Sequence, residues 1–221
     1  VDTLARLHAV DVDALGLSDY GRKGNFYPRQ IHSLTKVSKA QAAVSDPNGK
    51  QVGQLPRLND LLNWFSNHMI RDETTLMHGD YKIDNLVFHP TECRVLGILD
   101  WELSTLGHPF ADLANLLLPY YIPSVSVDIP FGGLRDIQPL PIPSKEDVAR
   151  AFCRNTRRSY PIHGLDFSIA FSFFKNAVIL QGIAARVLTN QASSAQAKQY
   201  AQLFPTFSLL AYDLTTNESH L

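Results

Sequence analysis

The sequence predicts a mainly α fold of the α+β kind, with helices around a small antiparallel β-hairpin. Three observations predict it. Apolar residues recur at three-to-four spacing through most of the 221 residues, the period of helices with one buried face. The middle of the chain breaks that period with three short apolar runs, at 75–77, 85–88 and 94–99, each bounded by polar or turn residues, which is the pattern of small strands. The composition is globular, 45% hydrophobic with a formal net charge of −1, and supplies enough apolar material for a substantial core.

In chain order, Leu4, Leu7, His8 and Val10 mark a helix over residues 2–9. The chain thus starts inside a helix, and Val1, with neither an initiator Met nor a signal pattern, predicts a domain cut from a longer protein. A polar, Gly-containing loop follows at 16–25. Ile31, Leu34, Val37 and Ala42 mark a second helix over 28–44, stopped by the turn sequence Asp46-Pro47-Asn48-Gly49. Leu58, Leu61, Leu62, Phe65 and Met69 form the apolar face of a third helix. Beyond the strand-like runs, Pro109 suits the first turn of a helix carrying Leu113, Leu116 and Leu117. Six of the thirteen prolines lie between Pro119 and Pro143, together with Gly132-Gly133, and irregular segments of this length are often functional. Ser144 and Asp147 read as a capping box, with Asp in place of Glu, opening a helix to about Arg158. Residues 167–188 are apolar nearly all round and predict a central buried helix. A last helix, from about Ser194, is interrupted near Pro205.

Charge and cysteine content narrow the function. Twenty Lys and Arg against twenty-one Asp and Glu give no global reason to expect nucleic acid or a membrane surface as partner. Cys93 and Cys153 cannot make a disulfide framework and have no Cys or His neighbours at zinc spacing, so they read as reduced, intracellular thiols. The uncharged stretches 113–127 and 176–185 are too short to span a bilayer. The expected partner is a small-molecule substrate.

The chemistry is concentrated in residues 76–114. His78-Gly79-Asp80-Tyr81-Lys82-Ile83-Asp84-Asn85 is followed by an apolar strand ending Ile98-Leu99-Asp100-Trp101-Glu102. Phosphoryl transfer needs a carboxylate to orient the attacking hydroxyl and oxygen ligands to hold Mg²⁺ against the triphosphate. Asp80 supplies the first; Asn85 and Asp100, at the end of a hairpin strand, supply the second. The spacing matches the catalytic loop H-x-D-x-x-x-x-N of kinases, with Asp100 in the place of the metal-binding Asp. His78, His89 and His108 lack the i, i+4 spacing of helix-borne zinc ligands.

These residues, with Gly107-His108-Pro109-Phe110-Ala111-Asp112-Leu113-Ala114, resemble the signature of the aminoglycoside phosphotransferase family, kinase-like enzymes related to choline kinases. The run 96–107, with Trp101-Glu102-Leu103-Ser104-Thr105, is most similar to the phosphotransferase domain of acyl-CoA dehydrogenase family members ten and eleven. The resemblance implies a protein-kinase-like C-terminal lobe whose hairpin carries the active site. It implies ATP and Mg²⁺ as cofactors, Asp80 as catalytic base, and Asn85 and Asp100 as metal ligands. Lys82 falls where protein kinases keep a γ-phosphate-contacting Lys. Glu102 falls at an acidic position near metal or substrate in choline kinases, and His78 and Asp112 at positions that brace the loop. The reaction implied is phosphorylation of a hydroxyl on a small molecule, with a hydroxy fatty acid or hydroxyacyl-CoA favoured by the nearest subgroup. The alternative is a catalytically silent kinase-like module that binds acyl-CoA or a partner protein.

Three further features complete the reading. Arg150, Arg154, Arg157 and Arg158 project from one helical face and form either a solvated stripe or an anion site for a phosphorylated or CoA-linked substrate. The chain ends Ser219-His220-Leu221, similar to a peroxisomal import tripeptide with His replacing Lys; without that address the protein would be cytoplasmic or mitochondrial. Finally, a kinase needs a Gly-rich loop and a strand Lys from an N-terminal lobe, and neither precedes the motif here. Residues 1–221 therefore read as a C-terminal lobe alone, with apolar surface left for self-association.

Overall fold

The computed structural model describes residues 1–124, 133–192 and 194–216. They form α1 (Asp2–His8), α2 (Phe26–Ala42), α3 (Leu58–Asn67), β1 (Thr75–Met77), β2 (Leu86–Phe88), β3 (Val95–Ile98), β4 (Thr105–Gly107), α4 (Pro109–Leu117), α5 (Lys145–Thr156), α6 (Leu165–Leu188), α7 (Ala197–Tyr200) and α8 (Phe204–Thr216). The mainly helical expectation is met. Residues 125–132 of the proline-rich segment and Ser219-His220-Leu221 lie outside the described residues.

The core is built on α6, which packs against α2, α4, α7 and α8. Ile169, Ala170, Phe173, Phe174 and Ala177 are fully buried, as an all-round apolar sequence requires. By length and composition α6 could cross a membrane, which the uncharged stretches of the sequence did not indicate, but its most apolar window is 72% buried inside the fold. Its one buried amide is satisfied from two sides: Ser38 donates to Gln181 Oε1 at 2.7 Å, and Gln181 Nε2 donates to the Gly53 carbonyl at 2.8 Å. Such pairing is what makes a polar group tolerable in a core.

The strands differ from a single hairpin. β2 and β3 do pair as one, with Leu86 opposite Ile98 and an irregularity between Val87 and Phe88. A second antiparallel pair joins β1 to β4, with Leu76 opposite Leu106. β4 escapes a sequence reading because three residues, Thr-Leu-Gly, carry too little pattern to register. The consequence is functional: β1 and β4 bring the His78 loop and the Asp112 helix together.

Helix ends show three further corrections. α3 stops at Asn67, leaving Met69 40% exposed rather than on its apolar face. α5 opens on the predicted capping box, Ser144 and Asp147 each bonding the other's backbone, but it ends at Thr156 because Arg157 takes a left-handed conformation, φ 56°. The last helical run is interrupted near Pro205 as expected, but the break is at residues 201–203 between α7 and α8, and Pro205 itself sits in the first turn of α8, which suits a residue that has no N–H to give.

Candidate active site

The loop after β1 is fixed before it presents anything. Gly79 has φ +87°, and a Cβ there would meet the Leu103 carbonyl oxygen at 2.3 Å; only glycine fits the backbone and the space. Asp112, fully buried on α4, accepts the amide hydrogens of His78 and Gly79 at 2.8 Å each, and also faces His8 Nε2 at 3.1 Å. His78 works in both directions. Its Nε2 donates to the Leu99 carbonyl at 2.8 Å, and its Nδ1 accepts from the Asp80 amide at 3.3 Å, which fixes one tautomer. Its ring meets Trp101 edge-on at 5.0 Å. Thus His78 and Asp112 brace the loop, and His78 ties it to the strand end that leads into Asp100.

Asp80 is the residue this framework presents. Its Oδ2 faces Lys82 Nζ at 2.8 Å and accepts from Asn85 Nδ2 at 3.1 Å, while Oδ1 accepts from Asn115 Nδ2 at 3.2 Å. Burial alone would raise the Asp80 carboxyl, but the bond and charge of Lys82, with Lys175 and Asn115, outweigh it and hold the group below the ordinary carboxylate range. The side chain keeps 23% exposure, and that exposure is onto a cleft of ≈ 600 Å³ between α4, α6 and α8. Lys82 and Asn115 share its polar end; Leu116, Ile122, Ile179, Ile183 and Phe207 line the rest.

The Leu99 amide donates to the Asn85 carbonyl at 2.8 Å, which holds the residue before Asp100 against Asn85. Asn85 is buried and spends its amide nitrogen on the carbonyl and carboxylate of Asp80, leaving Oδ1 without a hydrogen bond among the described residues. Asp100 sits in the left-handed region, φ 65°, which Asp tolerates better than most residues. Its side chain is exposed and likewise unpaired among the described residues. An amide oxygen and a carboxylate are hard donors of the kind that suit Mg²⁺ shared with phosphate oxygens. The described residues offer no cluster of three His, Cys, Asp or Glu that could hold a metal unaided.

Other sequence candidates are more scattered. Glu102 is exposed in the turn after Asp100 and has no polar contact among the described residues. Arg158 is committed to Glu73, at 2.9 and 2.5 Å, and Arg150 stacks over Tyr160 at 4.0 Å, so only Arg154 and Arg157 remain exposed without such a partner. The three histidines all have structural work: His89 Nδ1 closes the β2–β3 turn by accepting from Glu92 at 3.0 Å, and His108 caps α4.

Two residues here escaped the sequence. Asn115 lies three positions after Asp112, hence on the same face of α4, and that spacing was a usable signal. Lys175 reaches the loop from α6, with Nζ donating to the Gly79 carbonyl at 3.1 Å; its only mark in the sequence is a cation breaking an apolar run.

Comparison with known proteins agrees with this geometry. Residues 1–134 match the APH model, the phosphotransferase enzyme family. Mouse acyl-CoA dehydrogenase family member 10 is 42% identical over 216 residues, 97% of this chain and 19% of that protein. Human acyl-CoA dehydrogenase family member 11 is 36% identical over 205 residues, 92% of this chain and 25% of that one. The chain therefore spans about a fifth to a quarter of these curated relatives. A solved Ralstonia eutropha protein, described as a candidate aminoglycoside phosphotransferase, superposes with a TM-score of 0.83 at 36% identity over 97% of this chain and 62% of its own. With that match over most of the described loop, helix and strand framework, the chain belongs to the APH phosphotransferase enzyme family.

Proposed function

We propose that the chain is the catalytic lobe of an ATP- and Mg²⁺-dependent phosphotransferase that phosphorylates a hydroxyl on an apolar small molecule, such as a hydroxy fatty acid or hydroxyacyl-CoA. The observation that carries this reading is the Asp80 carboxylate, ionised, turned by three donors and opening onto an apolar cleft. A hydroxyl entering that cleft would give its proton to Asp80 as its oxygen bonds to the γ-phosphorus and the bond from that phosphorus to the β-phosphate oxygen breaks, with ADP leaving. A carboxylate held below its ordinary pKa is a weak base, and the loose transition state of phosphoryl transfer asks mainly for orientation. Lys82 stands beside Asp80 to offset charge on the transferring group. Asn85 Oδ1 and Asp100 would be the donors that hold Mg²⁺, which when bound would neutralise charge on the triphosphate. Aliphatic walls favour an acyl chain over a polycationic acceptor. Nucleotide phosphates would be covered by a second lobe supplied by the longer protein.

The test uses the complete protein with ATP and a hydroxyacyl substrate. Asp80→Asn should lower kcat at least about a hundredfold while leaving Mg²⁺-nucleotide affinity near normal. Asp100→Ala should lose that affinity. Full activity in Asp80→Asn would refute the reading; acyl-chain binding with no turnover in the wild type would return the silent binding module.

A further inference from the structure

We propose that Lys175 is a positioning residue for this reaction: from α6 its ammonium props the Gly79–Asp80 peptide from beneath and keeps Asp80 at the mouth of the cleft. The inference rests on the function proposed above and extends it to a residue 95 positions away.

Lys175 has no evident reason to be a cation for the fold's sake. On its face of α6 lie Phe171, Ser172, Val178 and Ile179, of which Ile179 alone is exposed; Lys175 is half-buried among these mainly apolar neighbours, and an aliphatic side chain would pack there without desolvating a charge. That desolvation pushes the Lys175 ammonium below its ordinary pKa, although Asp80 and Asp112 draw it back up and Lys82 adds to the lowering. The charge is kept where it faces two carboxylates.

Its contact is with the most consequential peptide of the loop. Asp112 fixes the amides of His78 and Gly79. The next peptide, Gly79–Asp80, is fixed at its N–H by His78 Nδ1 and at its C=O by Lys175 Nζ. Behind it lies a cavity of ≈ 150 Å³, lined by Gly79, Leu103, Thr105, Ser172 and Lys175. Without the ammonium the peptide has room to sink toward α6, carrying Asp80 away from the acceptor. A displacement of about 1 Å at a reacting group can cost about a hundredfold in rate.

The experiment compares Lys175→Met, Lys175→Arg and Asp80→Asn in the complete protein. Lys175→Met should lower kcat at least about tenfold, with KM for ATP within about twofold and the melting temperature within a few degrees. Lys175→Arg, which keeps the charge and a donor, should recover most of the loss. A Met variant with wild-type kcat, or one whose loss appears wholly in KM, would overturn the assignment. Should Lys175→Met fail to fold, Lys175→Gln carries the same expectation and the same refutation. Loss on Asp80→Asn with none at Lys175 would overturn this role alone, whereas no loss on Asp80→Asn would overturn both readings.

Discussion

At the scale of single residues, the site is governed by how completely one carboxylate is constrained. Both oxygens of Asp80 are engaged, and the donor on Oδ1 is the Asn115 amide, which also donates to the Tyr81 carbonyl at 3.3 Å. One NH₂ group thus sets the rotation of the carboxylate and the path of the chain beyond it. A hydrogen bond to a charged group contributes about 1.5–3 kcal/mol. Asn115→Leu, similar in size, should cost about tenfold in kcat, equivalent to about 1.4 kcal/mol of barrier, with little change in nucleotide affinity. Steady-state kinetics beside Mg²⁺-nucleotide calorimetry would check it. A Leu variant with unaltered kcat would mean that Lys82 and Asn85 suffice to turn Asp80.

At the scale of elements, the frame behind the site is closed by contacts between segments distant in sequence. The bidentate Arg158–Glu73 pair joins the end of α5 to the segment entering β1, and Arg158 also lies over the Phe110 ring at 5.2 Å. The bond from Arg158 holds the Glu73 carboxyl below its ordinary range against the opposing effect of burial. A depressed carboxyl contributes stability that is complete above its unfolded pKa and is lost as pH falls through the folded one. Glu73→Gln should therefore lower the melting temperature by about 2–4 °C at pH 7, for a pair of about 1 kcal/mol, and the gap should close as pH falls through the depressed pKa of Glu73. A gap that persists in acid would assign the effect to packing of Arg158 on Phe110. Elements with strong local codes are legible in the sequence: the Ser144–Asp147 box, Pro109 at the head of α4 and the nearly all-round apolar α6. The loop motif likewise named His78, Asp80, Asn85 and Asp112. What could not be read was long-range. β4 is three residues defined only by its partner β1, and Arg158 looked like one of a stripe until Glu73, 85 positions away, claimed it. Lys175 needed α6 to be laid under the loop before its target existed.

At the scale of the whole molecule, the hairpin beside the site presents large apolar side chains to solvent. Ile83, Phe88, Leu96, Leu99 and Leu103 are each more than half exposed, and all belong to the β2–β3 hairpin or the turns that flank it. Five such exposed side chains in and around one hairpin are more apolar surface than a small hairpin ordinarily presents, the kind of feature that marks a contact surface. The solved relative extends well beyond the matched region, since this chain covers 62% of it. In the two-lobe reading proposed above, a second lobe would supply a Gly-rich loop and strand Lys over the phosphates, and this chain would supply Asp80, Asn85 and Asp100 beneath them. Positioning and charge stabilisation account for most of phosphoryl-transfer catalysis, so half of the cradle should lose orders of magnitude rather than a fraction. The 221-residue chain by itself should fold around α6, bind ATP only weakly and turn over negligibly. It should also self-associate through the hairpin face, and Phe88→Ser with Leu96→Ser should reduce that association. Calorimetry with Mg²⁺-ATP and analytical ultracentrifugation, on this chain and on one extended N-terminally by a whole lobe, would read both effects. Micromolar affinity with turnover in the short chain would show that these residues need no second lobe, and an extended chain as weak as the short one would place the nucleotide elsewhere.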